Sequence, residues 1–198
     1  MVDNLQLNFR KTSDAAYHDQ SYTSTIIATM AAILAPLHLL SFSTLLGSQL
    51  YQTFIVTKVA FKRLPRNPYV NFQKHIFPIF FQGQALLLFL TAVTLPPYGP
   101  LSLIEHKSDW IPFAVSGVIS GLNVMVFGPR TRKLMLDRVE QGTVDAKTTN
   151  LEGQSTAMQV LKKRFATSHA MCIHLNLIGL GAHLWYTWRL ASRIETSL

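Results

Sequence analysis

Charged residues are scarce in this sequence. Asp, Glu, Lys and Arg together make up 14% of its 198 residues, whereas a soluble domain averages about 25%. Hydrophobic residues reach 48%, and the mean hydropathy is +0.22. So little charge leaves too little polar surface for a soluble domain, and the composition therefore favours a membrane protein.

Cysteine and catalytic motifs are nearly absent as well. Cys172 is the single cysteine, which excludes an intramolecular disulfide. The sequence contains no Cys-x-x-Cys-His or His-Glu-x-x-His motif and no Asn-x-Ser/Thr sequon. The long apolar stretches contain no carboxylate, so a buried acid–base pair is unsupported there. We therefore predict that the protein is not an enzyme.

What the sequence does contain is long apolar stretches. About 20 apolar residues cross a bilayer as a helix, and a segment in lipid must satisfy its own backbone hydrogen bonds. These two facts predict an all-α, polytopic membrane protein with a four-transmembrane-helix bundle whose helices extend into the cytosol. The four predicted spans are about 26–61, 75–95, 110–127 and 168–188.

The bundle is predicted to occupy residues 25–191, between a polar N-terminal tail, 1–24, and a C-terminal tail, 192–198. The N-terminal tail lacks the basic region followed directly by an apolar core that a cleavable signal needs. We expect the first apolar stretch to remain as a membrane anchor.

Proline and glycine mark the expected breaks. The first stretch is longer than a bilayer requires, so we expect it to tilt, kink at Pro36 or project beyond the membrane. Pro65 should end it, and the run from Pro96 to Pro100 should form a tight turn. Between the third and fourth stretches we predict a surface helix that ends near Gly142, followed by a flexible loop over 142–153.

The basic residues predict an orientation. Of the 18 Lys and Arg, five lie between Lys58 and Lys74 and eight between Arg130 and Arg164. Positive charge concentrates on the cytosolic side of membrane proteins, so we expect both basic loops in the cytosol and both termini on the opposite side. Because these residues flank the apolar stretches, we predict a lipid bilayer and no nucleic acid as partner.

Polar and small residues inside the apolar stretches define the candidate inward faces. Polar groups in lipid tend to face the bundle interior, and small residues four apart allow close helix contact. Ser43 with Gly47, and Gly117 with Gly121, have that spacing. The pattern predicts either helix packing alone or a polar cavity with Gln49 in its wall. The polar residues concerned are His38, Gln49, Gln82, Gln84, Asn123, His174, Asn176 and His183.

The histidines carry a second hypothesis. His38 and His183 are predicted at equal depth in the first and fourth spans, while His75 and His169 begin the second and fourth spans at the cytosolic end. Two facing histidines can bind haem or a metal, and histidines in membrane helices also serve as hydrogen-bonding groups. We name no cofactor from the sequence.

Several separated motifs resemble the transmembrane protein 205 family, which carries a DUF4149-like domain. The similarity covers roughly residues 30–190 and keeps the order of the motifs. Those motifs are His38-Leu39-Leu40-Ser41-Phe42-Ser43, Gly47, Gln49, Thr53-Phe54, Phe61, Leu64-Pro65-Arg66, Gln73, Phe77-Pro78, Asn123, Pro129-Arg130-Thr131, Met135, Phe165, His169 and Asn176-Leu177.

The resemblance implies a four-helix protein of the endoplasmic reticulum, secretory pathway or plasma membrane. It also implies an association with resistance to platinum drugs, by export or by sequestration in vesicles. Bacterial domains of similar pattern look distantly like copper-resistance membrane proteins, some of whose relatives bind haem.

Together these observations predict a non-enzymatic membrane protein that binds or moves a small solute or xenobiotic. The alternatives are a haem- or metal-binding redox bundle and a structural subunit of a larger membrane complex or homo-oligomer. The candidate ligand-binding residues are His38, Ser43, Gly47, Gln49, Arg66, Gln73, Asn123, Arg130 and His169, and the weaker metal candidates are His38, His183, His75 and His169.

Overall fold

The protein is described by a computed structural model, which gives the backbone of residues 2–105, 110–147 and 155–196 and the side-chain environments of 19–103, 110–147 and 155–193. The described residues form helices and short turns, with no strand among them. The helices are α1 (Val2–Tyr51), α2 (Thr57–Arg63), α3 (Arg66–Val93), α4 (Ser102–Glu105), α5 (Trp110–Leu122), α6 (Gly128–Lys147) and α7 (Thr156–Thr196).

Two π-helical segments join helices without breaking them. Gln52–Val56 connects α1 to α2, and Asn123–Phe127 connects α5 to α6. The stop predicted at Gly142 was wrong, because α6 continues to Lys147. Helix α1 begins at Val2, and the polar tail over residues 1–24 stays a prediction. Of the loop predicted over 142–153, residues 148–153 lie outside the described part of the chain.

Three helical stretches are long and apolar enough to cross a membrane: Asp19–Arg63, Arg66–Val93 and Trp110–Lys147. They contain the first and third predicted spans and all but the last two residues of the second, 75–95. Helix α7 is longer than a span requires, but His174, Asn176 and His183 lower its hydropathy. The described residues therefore support a multi-pass membrane protein, and the fourth span stays a prediction.

Apolar side chains on the outside of the bundle agree with a bilayer environment. Phe61 is 71% exposed, Met125 80% and Trp188 75%, and many Leu, Ile and Val side chains are exposed beside them. Soluble monomers rarely expose continuous apolar surface on this scale.

The breaks occur where proline and glycine predict them. Leu64 adopts an extended conformation directly before Pro65, and α3 begins at Arg66, because proline disfavours a helical residue in front of it. After α3, the chain turns through Pro96 and Pro97 to Gly99, whose φ is +65°. A Cβ at Gly99 would lie 2.8 Å from the Val93 carbonyl oxygen, so the turn requires glycine.

The ends of the helices give the bundle two different regions. The end of α3 and the later part of α7 pack with the middle of α1 around Tyr186, which is 2% exposed. We call this region the closed end. We call the other region the basic end, where α2, α6, the beginning of α3 and the beginning of α7 bring the two basic loops together.

Candidate functional site

The basic end encloses a cavity of about 1260 Å³. Sites for drug-sized ligands occupy roughly 300–1,000 Å³, so this cavity has room for such a molecule. Its walls come from both π-helical segments, α2, α3, α6 and α7, and they include six aromatic side chains. The aromatic residues are Phe61, Tyr69, Phe77, Phe80, Phe81 and Phe165.

Each π-helical segment begins with a buried amide side chain that lines the cavity. Gln52 opens the first segment and Asn123 the second. A π-turn inserts one extra residue into the helix, and such turns occur frequently at functional sites. The main-chain carbonyl oxygen of Gln52 accepts hydrogen bonds from both the backbone N–H and the hydroxyl of Thr57.

Glycine is required where the second π-helical segment ends. The backbone N–H of Gly128 donates to the Asn123 carbonyl oxygen. A Cβ at Gly128 would clash with that oxygen and would lie 3.3 Å from Cδ2 of Phe81. The close approach of the backbone therefore excludes a side chain at this position.

Three buried amide side chains line the cavity, and each has a polar atom with no hydrogen-bond partner among the residues that the structure describes. The atoms are Gln52 Nε2, Gln73 Oε1 and Asn123 Oδ1. Their residues are only 7%, 5% and 2% exposed. A buried polar group without a partner costs about 1–3 kcal/mol, and native proteins contain few of them. Three in one cavity indicate a place for a ligand with polar atoms.

An aromatic and cationic stack forms the α6–α7 side of the cavity. The Arg138 guanidinium lies 4.6 Å from the centre of the Phe165 ring. The His169 ring stacks on Phe165 with a centroid distance of 5.4 Å. Cation–π contact fixes the guanidinium beside the cavity, but Arg138 Nε is buried without a partner.

Positive charge surrounds this stack. Arg66, Arg132, Arg138 and Lys162 line the cavity, and Asp145 is the acidic residue among its described lining. The Asp145 carboxylate accepts hydrogen bonds from Gln141 and Ser155, at 2.7 and 2.9 Å.

A hydrogen-bonded chain runs from the cavity wall toward the closed end. His183 Nδ1 donates to Gln49 Oε1 at 2.6 Å. Gln49 Nε2 donates to the carbonyl oxygen and Oδ1 of Asn176, at 3.1 and 3.2 Å. Asn176 Nδ2 donates to Thr53 Oγ1 at 2.8 Å, and both of these residues line the cavity. The chain joins the first helix to α7.

His38 is held by the closed end at both ring nitrogens. Nδ1 lies 2.8 Å from the Thr91 carbonyl oxygen and Nε2 lies 2.7 Å from the Tyr186 hydroxyl. Because a carbonyl only accepts, Nδ1 donates, and Nε2 of the neutral ring then accepts from Tyr186. His38 therefore connects three helices and is a structural residue.

The histidines of the closed end do not fit a haem in this arrangement. His38 has no free ring nitrogen, and the cavity beside His183 measures about 10 Å³, which is room for about one water molecule. His183 Nε2 is buried there without a partner. Within the described residues there is no group of three or more His, Cys, Asp or Glu that could hold a metal ion. His75 is exposed and bonds to the Asn71 carbonyl oxygen of its own helix.

The structure brings four of the nine predicted ligand-binding residues to the cavity: Arg66, Gln73, Asn123 and His169. His38 and Gln49 are buried in hydrogen bonds outside its lining.

The other three predicted residues face outward. Ser43 and Gly47 are exposed, with no atom within 4 Å of a Cβ placed at Gly47. Arg130 is exposed as well and lies outside the cavity lining, where Arg132 and Arg138 stand instead. The direction of each side chain around its helix explains these differences.

Sequence reasoning missed Gln52, Arg132, Arg138 and Lys162 as cavity residues. Gln52 sits three residues after Gln49 in an apolar stretch, a spacing that keeps both side chains on a similar face. Arg138 is 27 residues from Phe165 along the sequence, and no local pattern relates the two.

Comparison with known proteins gives two matches. The family model described as "Domain of unknown function (DUF4149)" matches residues 40–140. A protein of Aspergillus fumigatus named "Xanthocillin biosynthesis cluster protein D" is 36% identical over 173 residues, which is 87% of this chain and 98% of that protein. No solved structure matches. The family match confirms the DUF4149-like part of the resemblance, while the similarity to transmembrane protein 205 stays a prediction.

Proposed function

Since the chain belongs to the family described as a domain of unknown function, DUF4149, we propose its function from the cavity: it binds a small amphipathic organic molecule in the membrane. The observation that carries the proposal is the set of three buried, unpartnered amides lining about 1260 Å³. Aromatic walls would cover the apolar part of the molecule, and the amides would bind its polar atoms.

The relative supports a small organic molecule as the ligand class. Its name assigns it to a biosynthesis cluster, and the two chains align over nearly their whole lengths. Proteins encoded with a biosynthetic route handle intermediates or products as well as catalyse steps. We propose binding or movement of a solute, and not its chemical conversion, as the role of this chain. A xenobiotic of similar size would occupy the same cavity.

The proposal includes α7 as the fourth membrane span. The helix has 41 residues, or about 60 Å at 1.5 Å per residue. Two of its polar side chains, Asn176 and His183, bond to the first helix, so lipid does not have to solvate them. With the basic end in the cytosol, as Lys and Arg distribution favours, the cavity opens toward the cytosol in the secretory pathway or plasma membrane.

Photolabelling tests the proposal. The protein in phosphatidylcholine nanodiscs is irradiated with 4-(4-benzoylphenyl)butanamide or the corresponding butanoic acid, and labelled peptides are mapped by mass spectrometry. We expect saturable labelling within 57–81, 123–146 and 158–177. Labelling confined to outward positions such as Val118, and linear in probe concentration, would contradict the proposal.

A second candidate ligand is a soft metal ion or its complex. Met135, Met158 and Cys172 line the cavity, and thioether and thiol sulfur suit soft metals. Titration with silver ion tests this candidate. Met135→Leu and Met158→Leu should each weaken binding, while Met125→Leu, at an 80% exposed position, serves as the control. Equal silver binding by all three variants would remove the candidate.

A further inference from the structure

We propose that the molecule held in the cavity is an organic anion whose negative group binds between Arg66 and Arg138, with its apolar body directed toward Gln52 and Asn123. This inference rests on the proposed function and adds the charge and orientation of the ligand. It follows from three features of the cavity.

The first feature is the imbalance of charge around the mouth. Four cationic side chains line the cavity, and the one described acidic residue of the lining is bonded to Gln141 and Ser155. None of the four cations makes an ion pair with a described residue. A cleft lined by charge of one sign attracts a ligand of the opposite sign, so this excess of positive charge favours an anion.

The second feature is the position of Arg138. Phe165 holds its guanidinium at the cavity wall, its Nε is buried without a partner, and the positive charge of Arg66 acts on it. Repulsion between two cations near a buried site is unfavourable, and an anion between them converts it into attraction. The planar guanidinium suits carboxylate or phosphate oxygens in a bidentate geometry.

The third feature is the difference between the charged part of the cavity and the part that contains Gln52 and Asn123. Its cations belong to the basic end of the bundle, while Gln52 and Asn123 lie inside two helices that are apolar enough to cross a membrane. The cavity lining also contains aromatic side chains, including the stacked pair Phe77 and Phe81. An amphipathic anion fits this order, with its head at the membrane surface and its body at membrane depth.

The same chemistry occurs in two sources, a free organic acid and an anionic lipid. Both carry an anionic head on an apolar body. The experiment below separates them, because a lipid is already present in the bilayer and would compete with a soluble probe.

The test compares the butanoic acid probe with its neutral amide in nanodiscs, using the concentration that gives half-maximal labelling of cavity peptides. Arg138→Gln should raise this concentration for the acid about tenfold, which corresponds to the loss of about 1.4 kcal/mol of binding free energy with the hydrogen bond to a charged group. The amide should be unaffected. Arg138→Lys keeps the charge and should restore part of the acid binding.

Two further variants control for folding and for total charge. Arg66 is exposed, so Arg66→Gln should fold normally and still weaken acid labelling. Arg164→Gln removes the same charge from an exposed position outside the cavity lining and should change neither probe. Equal labelling by acid and amide in every variant would overturn the proposal that the ligand is an anion, but it would leave the proposed binding function in place. If neither probe labels the cavity, both the anion proposal and the proposed binding function are overturned.

Nanodiscs doped with phosphatidylserine identify the source. If the acid probe labels the cavity in phosphatidylcholine but is displaced in doped nanodiscs, an anionic lipid headgroup fills the site. If labelling persists, the site selects a free organic acid. Either result supports an amphipathic anion.

Discussion

The closed end and the basic end are built from the same long helices, yet they differ in the hydrogen bonding of their buried polar groups. At the closed end, His38 bonds to Thr91 and Tyr186, and the cavity there measures about 10 Å³. At the basic end, Gln52, Gln73 and Asn123 each bury an unpartnered atom beside about 1260 Å³. The contrast separates polar groups that hold the fold from polar groups available to a ligand.

Some buried polar atoms without hydrogen-bond partners lie outside the large cavity. His183 Nε2 has no partner, but the small cavity beside it admits only about one water molecule. Gln84, Ser116 and Ser120 also bury unpartnered atoms and lie outside the large cavity. An unpartnered atom is therefore evidence for a ligand only where it faces enough room for one.

The largest expected effect is on stability at the closed end. His38→Ala removes a 2% exposed side chain together with its hydrogen bonds to Thr91 and Tyr186, so we expect a loss of about 3 kcal/mol in the free energy of unfolding. Thermal unfolding in detergent measures it. His75→Ala, at an exposed position, is the matched control and should unfold like the wild type. Similar unfolding of both variants would contradict a structural role for His38.

The next effect concerns the second π-helical segment. Gly128→Ala places a Cβ in a clash with the main-chain carbonyl oxygen of Asn123, so the backbone must shift, at a cost of about 2 kcal/mol. Because Asn123 moves with that segment, probe labelling of the cavity should fall too. A variant with unchanged unfolding and unchanged labelling would show that the segment is not needed.

The smallest effect is expected at the outward-facing small residues. Ser43 is exposed and bonds to the Leu39 carbonyl oxygen of its own helix, so Ser43→Ala should change stability by less than about 0.5 kcal/mol. Gly47→Ala meets no atom within 4 Å and should be neutral or stabilising by up to about 1 kcal/mol. Labelling should be unchanged in both. A large loss of stability in detergent would instead show that this face contacts another molecule.

The sequence predicts the outline of this fold well because its signals are local. Apolar stretches of span length, the break at Leu64-Pro65 and the turn around Gly99 each follow from neighbouring residues. Burial of Gln49, Asn123 and His38 follows from the cost of polar groups in lipid.

The site is harder to predict because its signals are not local. Whether a buried amide has a hydrogen-bond partner depends on the facing helix. Gln49 bonds to Asn176 and His183, whereas Gln73 Oε1 has no partner among the described residues. The π-helical segments change the direction of all later side chains in the helix, and no residue type predicts where such a segment occurs. Gly142 did not end α6, because the helix continues beside α7, with Met158 Cε 3.7 Å from a Cβ at that position, and such packing overrides the weak helix preference of glycine.

The most direct test of the central claim is to measure thermal unfolding and probe labelling together on Gln73→Met, with Gln49→Met as the matched control. Gln49 has its partners, so its loss should destabilise the protein by about 1–3 kcal/mol. Gln73→Met removes a buried unpartnered atom, so stability should hold or rise while labelling of the cavity falls. If Gln73→Met instead destabilises the protein as Gln49→Met does and labelling persists, the unpartnered amides serve the fold and not a ligand.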